Sequence, residues 1–167
     1  MSVIAWDGKT LAADKRASMG TLIRTTTKIF KLGDINALAA YTGDADSGEE
    51  VLAWFRDGAD PAKFPPMQRE KDTWAPLMVV WHHGFIWKYE RTPHPLKLPP
   101  QHFAMGSGRD FALAAMHLGK TAAEAVEVAC VLGTSFVKKW WHLETDEWEQ
   151  EKYVLMDRKT RAPVLTT

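Results

Sequence analysis

The most constraining stretch of this 167-residue chain is its beginning, Ser-Val-Ile-Ala-Trp-Asp-Gly-Lys-Thr-Leu-Ala-Ala-Asp, residues 2–14. Two apolar runs flank Asp7-Gly8, a dipeptide that favours positive φ at both central positions of a tight turn. The pattern predicts a β-hairpin whose first strand begins at residue 2. A terminus ordinarily frays unless something ties it down. A chain that commits residue 2 to a strand therefore anchors its own start in a sheet.

The strand signal continues. Thr-Leu-Ile-Arg-Thr-Thr-Thr-Lys-Ile-Phe-Lys-Leu (21–32) is rich in β-branched residues, with Lys28 among Thr27, Ile29 and Phe30. Ile-Asn-Ala-Leu-Ala-Ala-Tyr-Thr-Gly (35–43) reads as a short buried strand ending at Gly43. About four strands are thus expected before residue 44. The period then changes. Residues 44–58 carry Asp and Ser cap candidates, early acids, and Val51, Leu52 and Phe55 at helical spacing, with Gly58 as the stop.

Residues 59–75 read as a Pro- and charge-rich loop, 75–91 as a second hairpin with its bend near His83-Gly84, and 92–100 as a Pro-rich connection. Arg109–Gly119 predicts a helix. A second helix follows from Thr121, with Glu124 three residues on as a capping box. Residues 134–144 and 151–159 read as strands. Strands and helices are segregated, which indicates α+β layers, and two antiparallel sheets between helices fit the order. The length points to a single domain spanning 1–167, large enough to bury roughly two thirds of its unfolded surface.

Lys plus Arg and Asp plus Glu are each 21, so there is no electrostatic case for nucleic acid. Low net charge gives little colloidal repulsion, which suits an assembled protein, and the eight Trp read either as core or as interface anchors. No run approaches the ~20 apolar residues of a membrane helix, and no signal-peptide pattern is present. The one cysteine, Cys130, lies in an apolar helical run with no cationic flank, so it reads as a small buried hydrophobe in a reducing, cytoplasmic setting.

Three features carry candidate chemistry. The His residues lack zinc spacing, and adjacent His82 and His83 point to opposite faces of a strand, so no metal is expected. Gly106-Ser107-Gly108-Arg109-Asp110 precedes a helix as an anion site would. It lacks the Lys-Ser/Thr of a phosphate loop, so a tight strand-to-helix turn is the plainer reading. Lys28, if its flanks are buried, needs a carboxylate, and Asp14 is the natural partner. Ser2 directly follows Met1, and a small second residue favours removal of the initiator. Removal would put an α-amine and a hydroxyl on one residue, a nucleophile that carries its own base near neutral pH.

Together these residues resemble the N-terminal nucleophile hydrolases of the proteasome β-subunit type, including the bacterial ATPase-partnered peptidases and their beta-proteobacterial and phage relatives. The resemblance runs from Ser2 through "AADKRAS", "TTTKIFKL" and "AAYTGDAD" to "AMGSGRDFALAA", and agreement extends to about residue 132. It implies a four-layer αββα sandwich of two antiparallel sheets flanked by helices. It implies hydrolysis of peptide bonds in peptide or unfolded protein substrates without a cofactor. It also implies a homo-oligomeric double ring of seven, or six, subunits per ring, served by an ATPase unfoldase. By position, Ser2 takes the nucleophile's place, where most relatives have Thr. Asp14 and Lys28 take the catalytic Asp and Lys, and Ser107 takes the Ser beside the N-terminal amine. Ala40 stands where a backbone N–H serves as oxyanion donor, usually on Gly. Ser18 stands where substrate backbone is paired, and Thr26, Phe30, Leu38 and Thr42 fall near the pocket for the residue before the cut.

The chain departs from the pattern after the second helix. Gly133, Phe136 and Val137 align where relatives carry an Asp, a Ser or Thr, and a Gly that support the amine. That departure raises the alternative of a catalytically inactive ring subunit. An amidase acting on a small molecule shares the same nucleophile chemistry.

Overall fold

The computed structural model describes residues 2–19, 22–66, 74–132, 137–142, 152–156 and 163–164. They divide into two compact units, Met1–Ile29 with His102–Thr167, and Phe30–Gln101.

In the first unit, β1 (Ile4–Trp6) and β2 (Thr10–Asp14) form the expected hairpin, in register Ile4↔Ala13 to Trp6↔Leu11, though its first strand begins at Ile4 and not at residue 2. The turn differs from the expectation. Of the two central residues only Gly8 has positive φ, at 98°. Asp7 instead folds its carboxylate back, Oδ1 accepting from the amides of Lys9 (2.9 Å) and Thr10 (2.7 Å). A side-chain acceptor thus does the work that backbone geometry does in a two-residue turn. The other oxygen, Oδ2, accepts from the Ala122 amide at 2.7 Å, tying the hairpin to the start of a helix far along the chain.

This hairpin lies within a six-stranded sheet. β1 pairs on its other side with β10 (Phe103–Met105), and β2 pairs with β11 (Val137–His142). The sheet continues through β12 (Lys152–Met156) and β13 (Pro163–Val164). Every pairing in it is antiparallel. Helices α2 (Arg109–His117) and α3 (Ala122–Leu132) cover one face. Val3, Ala5, Ala12 and Ala104 meet Ala112, Ala115, Met116, Ala125, Val126 and Ala129 there. The two-residue period of a strand sends Ile4 and Trp6 to the opposite face, where they too are buried. The Thr121 capping box forms as expected: Glu124 Oε2 accepts from the Thr121 amide (3.0 Å), and the Glu124 amide donates to Thr121 Oγ1 (3.3 Å).

Between β2 and Lys28 the chain makes a second hairpin that sequence reading did not separate: residues 21–32 read as one strand, and none was expected at 16–19. Strands β3 (Arg16–Met19) and β4 (Leu22–Thr25) pair with each other. Six strands, not four, therefore precede Thr42. Lys28 sits outside any strand, just before β5 (Ile29–Leu32).

In the second unit, β5, β6 (Ala37–Tyr41), β7 (Leu77–Trp81), β8 (Ile86–Tyr89) and β9 (Leu96–Leu98) form a five-stranded sheet in that order. β9 comes from the stretch read as a Pro-rich connection. Its prolines flank the strand, and it occupies the sheet edge where proline does least harm. Helix α1 (Ala45–Arg56) is capped by the Asp44 carboxylate, which accepts from the Ser47 amide. It packs Val51, Leu52, Trp54 and Phe55 onto Ala37, Ala39, Tyr41, Leu77, Val79 and Tyr89. No helix among the described residues is long and apolar enough to cross a membrane.

Candidate active site

The end of β2 places a carboxylate where burial is complete: Asp14 has 0% exposure. An isolated charge could not persist there, so its partners define the site. Asp14 Oδ1 accepts from the Val3 amide at 2.7 Å and Oδ2 from the Arg16 amide at 3.0 Å. Lys28 Nζ donates to both oxygens, at 2.8 and 2.9 Å. Four hydrogen bonds from three donor groups therefore hold one carboxylate, and two of the donors are backbone amides. Such a buried ion pair is not by itself a source of stability. It persists because every lone pair in reach is used.

Lys28 has one further contact. Its Nζ lies 2.9 Å from Ser2 Oγ, so one ammonium bridges the carboxylate and the hydroxyl. Burial, the larger influence, pushes the Lys28 pKa down, and the Asp14 carboxylate opposes that shift. The Arg16 guanidinium adds a smaller downward push. An ammonium so placed stabilises negative charge on Ser2 Oγ and lowers the cost of ionising the hydroxyl.

Ser2 is fixed from a second direction. Its carbonyl accepts from the Gly108 amide at 3.0 Å, and its N–H donates to Ser107 Oγ at 3.1 Å. The Ser107 hydroxyl is 3.4 Å from the Ser2 carbonyl, to which it can donate. Gly108 is required by close approach. A Cβ there would lie 2.9 Å from Val3 Cβ, inside any normal contact. The turn from β10 into α2 thus presents Ser107 and the Gly108 amide to residue 2. Ser2 is half-buried and Ser107 is exposed, so the hydroxyl lies at the edge of a buried charge pair.

Ser2, Asp14, Lys28 and Ser107 are brought together, all within the first unit. Thr26 precedes Lys28 by two residues. It is half-buried, and its amide donates to the Lys15 carbonyl at 2.8 Å. Ser18 lies on β3, paired with Ile23. Phe30, Leu38, Ala40 and Thr42 belong to the second unit. There Phe30 stacks on Tyr41 with centroids 5.4 Å apart. Leu38 and Ala40 sit on the β6 face opposite Ala37, Ala39 and Tyr41 and are buried. Thr42, just past the strand, donates its amide to the Pro76 carbonyl at 3.4 Å. Gly133 and Phe136 lie outside the described residues, and Val137 begins β11.

Sequence reading missed the backbone share of the site. The amides of Val3, Arg16 and Gly108 carry three of its hydrogen bonds. Side-chain identity gives no signal for an amide donor, except at Gly108, where a glycine before a helix marks close approach.

No family model matches the sequence, and no curated protein matches it. Solved structures do match. One is the crystal structure of eukaryotic HslV from Trypanosoma brucei, which aligns with a TM-score of 0.57 at 15% identity. The match covers 80% of this chain and 91% of that one. At that identity the likeness is one of fold, and the chain shares the mixed α/β fold of HslV, with antiparallel sheets and helices.

Proposed function

We propose that this chain is a peptidase of the proteasome-like N-terminal nucleophile type, cutting peptide bonds with Ser2 after removal of Met1. The observation that carries the proposal is the position of Lys28 Nζ, 2.9 Å from Ser2 Oγ while bound to both oxygens of buried Asp14. The HslV-like fold supports the same class.

In this reading the Ser2 hydroxyl gives its proton to the freed α-amine, and Oγ attacks the scissile carbonyl carbon. Lys28 offsets the charge developing on Oγ, and Asp14 keeps Lys28 charged and in place. The Ala40 amide donates to the oxyanion of the tetrahedral intermediate. The C–N bond then breaks, and the proton passes from the α-ammonium to the departing amine, leaving an ester on Ser2. Water attacks that ester, the amine again accepting a proton, and releases the carboxylic acid product and the free hydroxyl. Ser107 orients the amine. Ser18 pairs with substrate backbone as an added strand, and Thr26, Phe30, Leu38 and Thr42 line the pocket for the residue before the cut.

The chain is one subunit, folded as a four-layer sandwich. It assembles with copies of itself into a double ring of seven or six subunits per ring in the cytoplasm, fed by an ATPase unfoldase. It groups with the beta-proteobacterial homologues. Ser in place of Thr removes the methyl group that restricts the nucleophile's rotamer, which favours slow turnover.

Mass spectrometry of the purified protein should show loss of Met1. Ser2→Ala should abolish cleavage of fluorogenic peptides while the assembly keeps its size by native mass spectrometry. Equal turnover by Ser2→Ala overturns the proposal. The rival reading, an inactive ring subunit, rests on Gly133, Phe136 and Val137 standing where the amine's support is expected. Retained Met1, with no labelling of Ser2 by a β-lactone, would decide for it.

A further inference from the structure

The second unit contains a pocket of about 430 Å³. That is within the usual size for small-molecule sites, roughly 300–1,000 Å³. Four rings line it. Phe55 and Tyr89 are buried, but Trp81 and Trp87 are only half-buried, and Ile35 in the same lining is exposed. Two backbone turns complete the lining. One closes α1 with successive left-handed residues, Gly58 (φ 96°) and Ala59 (φ 55°), whose amides donate to the Phe55 and Trp54 carbonyls at 3.2 and 3.1 Å. The other runs Gly33–Ile35 and ends on left-handed Asn36, whose amide donates to the Gly33 carbonyl at 3.3 Å. Alanine rarely adopts a positive φ, and here a hydrogen bond holds it there. Fixed backbone therefore shapes the pocket before any ligand arrives.

Neither sign of charge finds a partner there. The lining carries one acid, Asp34, and two basic residues, Lys31 and Arg56. Lys31 is already engaged. Arg56 lies in the last turn of α1, where the negative end of the helix holds it. An entering anion meets Asp34 and that same helix end. An entering cation meets Arg56 and Lys31, and Lys97 Nζ already sits 4.6 Å from the Trp87 ring centroid. An ion of either sign loses its hydration without a group left to replace it. An uncharged ring gains instead. Trp81 and Trp87 meet at 65° with centroids 4.9 Å apart, so their planes form a corner. A third ring stacked on one of them meets the other edge-on, and both arrangements are favourable between aromatics. A saturated body of the same size gains the burial but not that geometry.

We propose that this pocket binds a small uncharged aromatic compound against the corner formed by Trp81 and Trp87. Every residue invoked lies in the second unit, so the inference stands apart from the chemistry at Ser2.

Isothermal titration calorimetry of the full-length Ser2→Ala protein tests it, in a form where turnover contributes no heat. Four ligands of one size are compared: benzamide, its anionic counterpart benzoate, its cationic counterpart benzamidinium, and the saturated cyclohexanecarboxamide. Benzamide should bind at one site with a Kd of about 1 mM, as a ligand of that size allows. Cyclohexanecarboxamide should bind about threefold or more weakly, the worth of the ring geometry, and the two ions about tenfold or more weakly. Trp87→Leu should bring benzamide down to the level of the saturated compound. No saturable binding of benzamide, an ion that binds as tightly as benzamide, or a saturated compound that does so, overturns the proposal. So does benzamide binding that Trp87→Leu leaves unchanged. The ligand ratios are read with the pocket intact and do not depend on how Trp87→Leu folds.

Discussion

The two units bury their helices against sheets with different materials. In the first, the contact between β1, β2, β10 and α2, α3 is made largely of alanine, with Val3, Val126, Met116 and Cys130 filling between. In the second, Tyr41, Trp54, Phe55, Phe64 and Tyr89 carry the contact between α1 and its sheet. Trp54 alone meets Phe55, Phe64 and Tyr89 edge-on, at 6.5, 4.9 and 5.3 Å. Small side chains let backbones approach closely. The backbone amides of Val3, Arg16 and Gly108 can then act as fixed donors around Ser2 and Asp14. Large rings fill volume by shape, edge against face around Trp54. One region achieves backbone precision and the other side-chain shape.

That contrast is broken most sharply by removing the centre of each region. Asp14→Ala strands a buried ammonium and two buried amides, and should cost about 3–5 kcal/mol in urea unfolding while abolishing β-lactone labelling of Ser2. Asp14→Asn keeps an acceptor without the charge. It should recover part of the stability and little of the labelling. Trp54→Ala leaves a void where three rings met and should also cost about 3–5 kcal/mol. If Asp14→Ala proves the cheaper by several kcal/mol, the first unit relies on its alanine packing rather than on its charge pair.

How much of this was legible in the sequence follows the same division. The hairpin at residue 7, the caps at Asp44 and Thr121 and the stop at Gly58 were readable because each is a local signal. So were Ser2, Asp14, Lys28 and Ser107, though their meaning came from resemblance to a family rather than from spacing. The β3–β4 hairpin was not readable. Residues 16–19 carry no β-branched side chain to signal a strand, and in the β-branched stretch 21–32 nothing marks where β4 ends and Lys28 leaves the sheet. The Asp7 turn was misjudged for a different reason. Its carboxylate serves the amides of Lys9 and Thr10 and also that of Ala122, and a partner 115 residues away is invisible to local turn preference.

The next smaller effect compares one substitution in both regions. Gly108→Ala puts a Cβ 2.9 Å from Val3 Cβ and 3.4 Å from Ala129 Cβ. With backbone-near atoms on both sides, overpacking should cost about 1–3 kcal/mol. Because the Gly108 amide holds the Ser2 carbonyl, labelling of Ser2 should slow by more than the stability loss accounts for. Gly48→Ala drives its Cβ into the Tyr41 ring, a worse clash on paper. Tyr41 can rotate only by giving up the hydrogen bond its hydroxyl donates to Glu49 Oε1 at 2.6 Å. The helix propensity gained by replacing glycine offsets about 1 kcal/mol of that loss. Gly48→Ala should therefore leave Ser2 labelling unchanged while lowering thermal stability. Equal slowing by both substitutions would mean that the labelling reports global looseness rather than the hold on Ser2.

The smallest effect concerns the start of α3, where an exposed acid caps the helix against the alanine-rich face. The Thr121 amide, then the Lys120 ammonium and the Thr121 hydroxyl, hold the Glu124 carboxyl down at about 2. A carboxyl depressed in the folded state binds fewer protons there than in the unfolded chain. Its contribution is therefore complete above the ordinary glutamate value, about 4.3. It fades as the pH falls from there towards about 2. Glu124→Gln should flatten that part of the stability profile, read from urea midpoints at steps between pH 5 and 2.5, and lose little near neutrality. Lys120→Met should shrink the slope without removing it, because the Thr121 amide is the larger influence. A profile that Glu124→Gln leaves unchanged would show that the Thr121 cap is no source of the acid sensitivity.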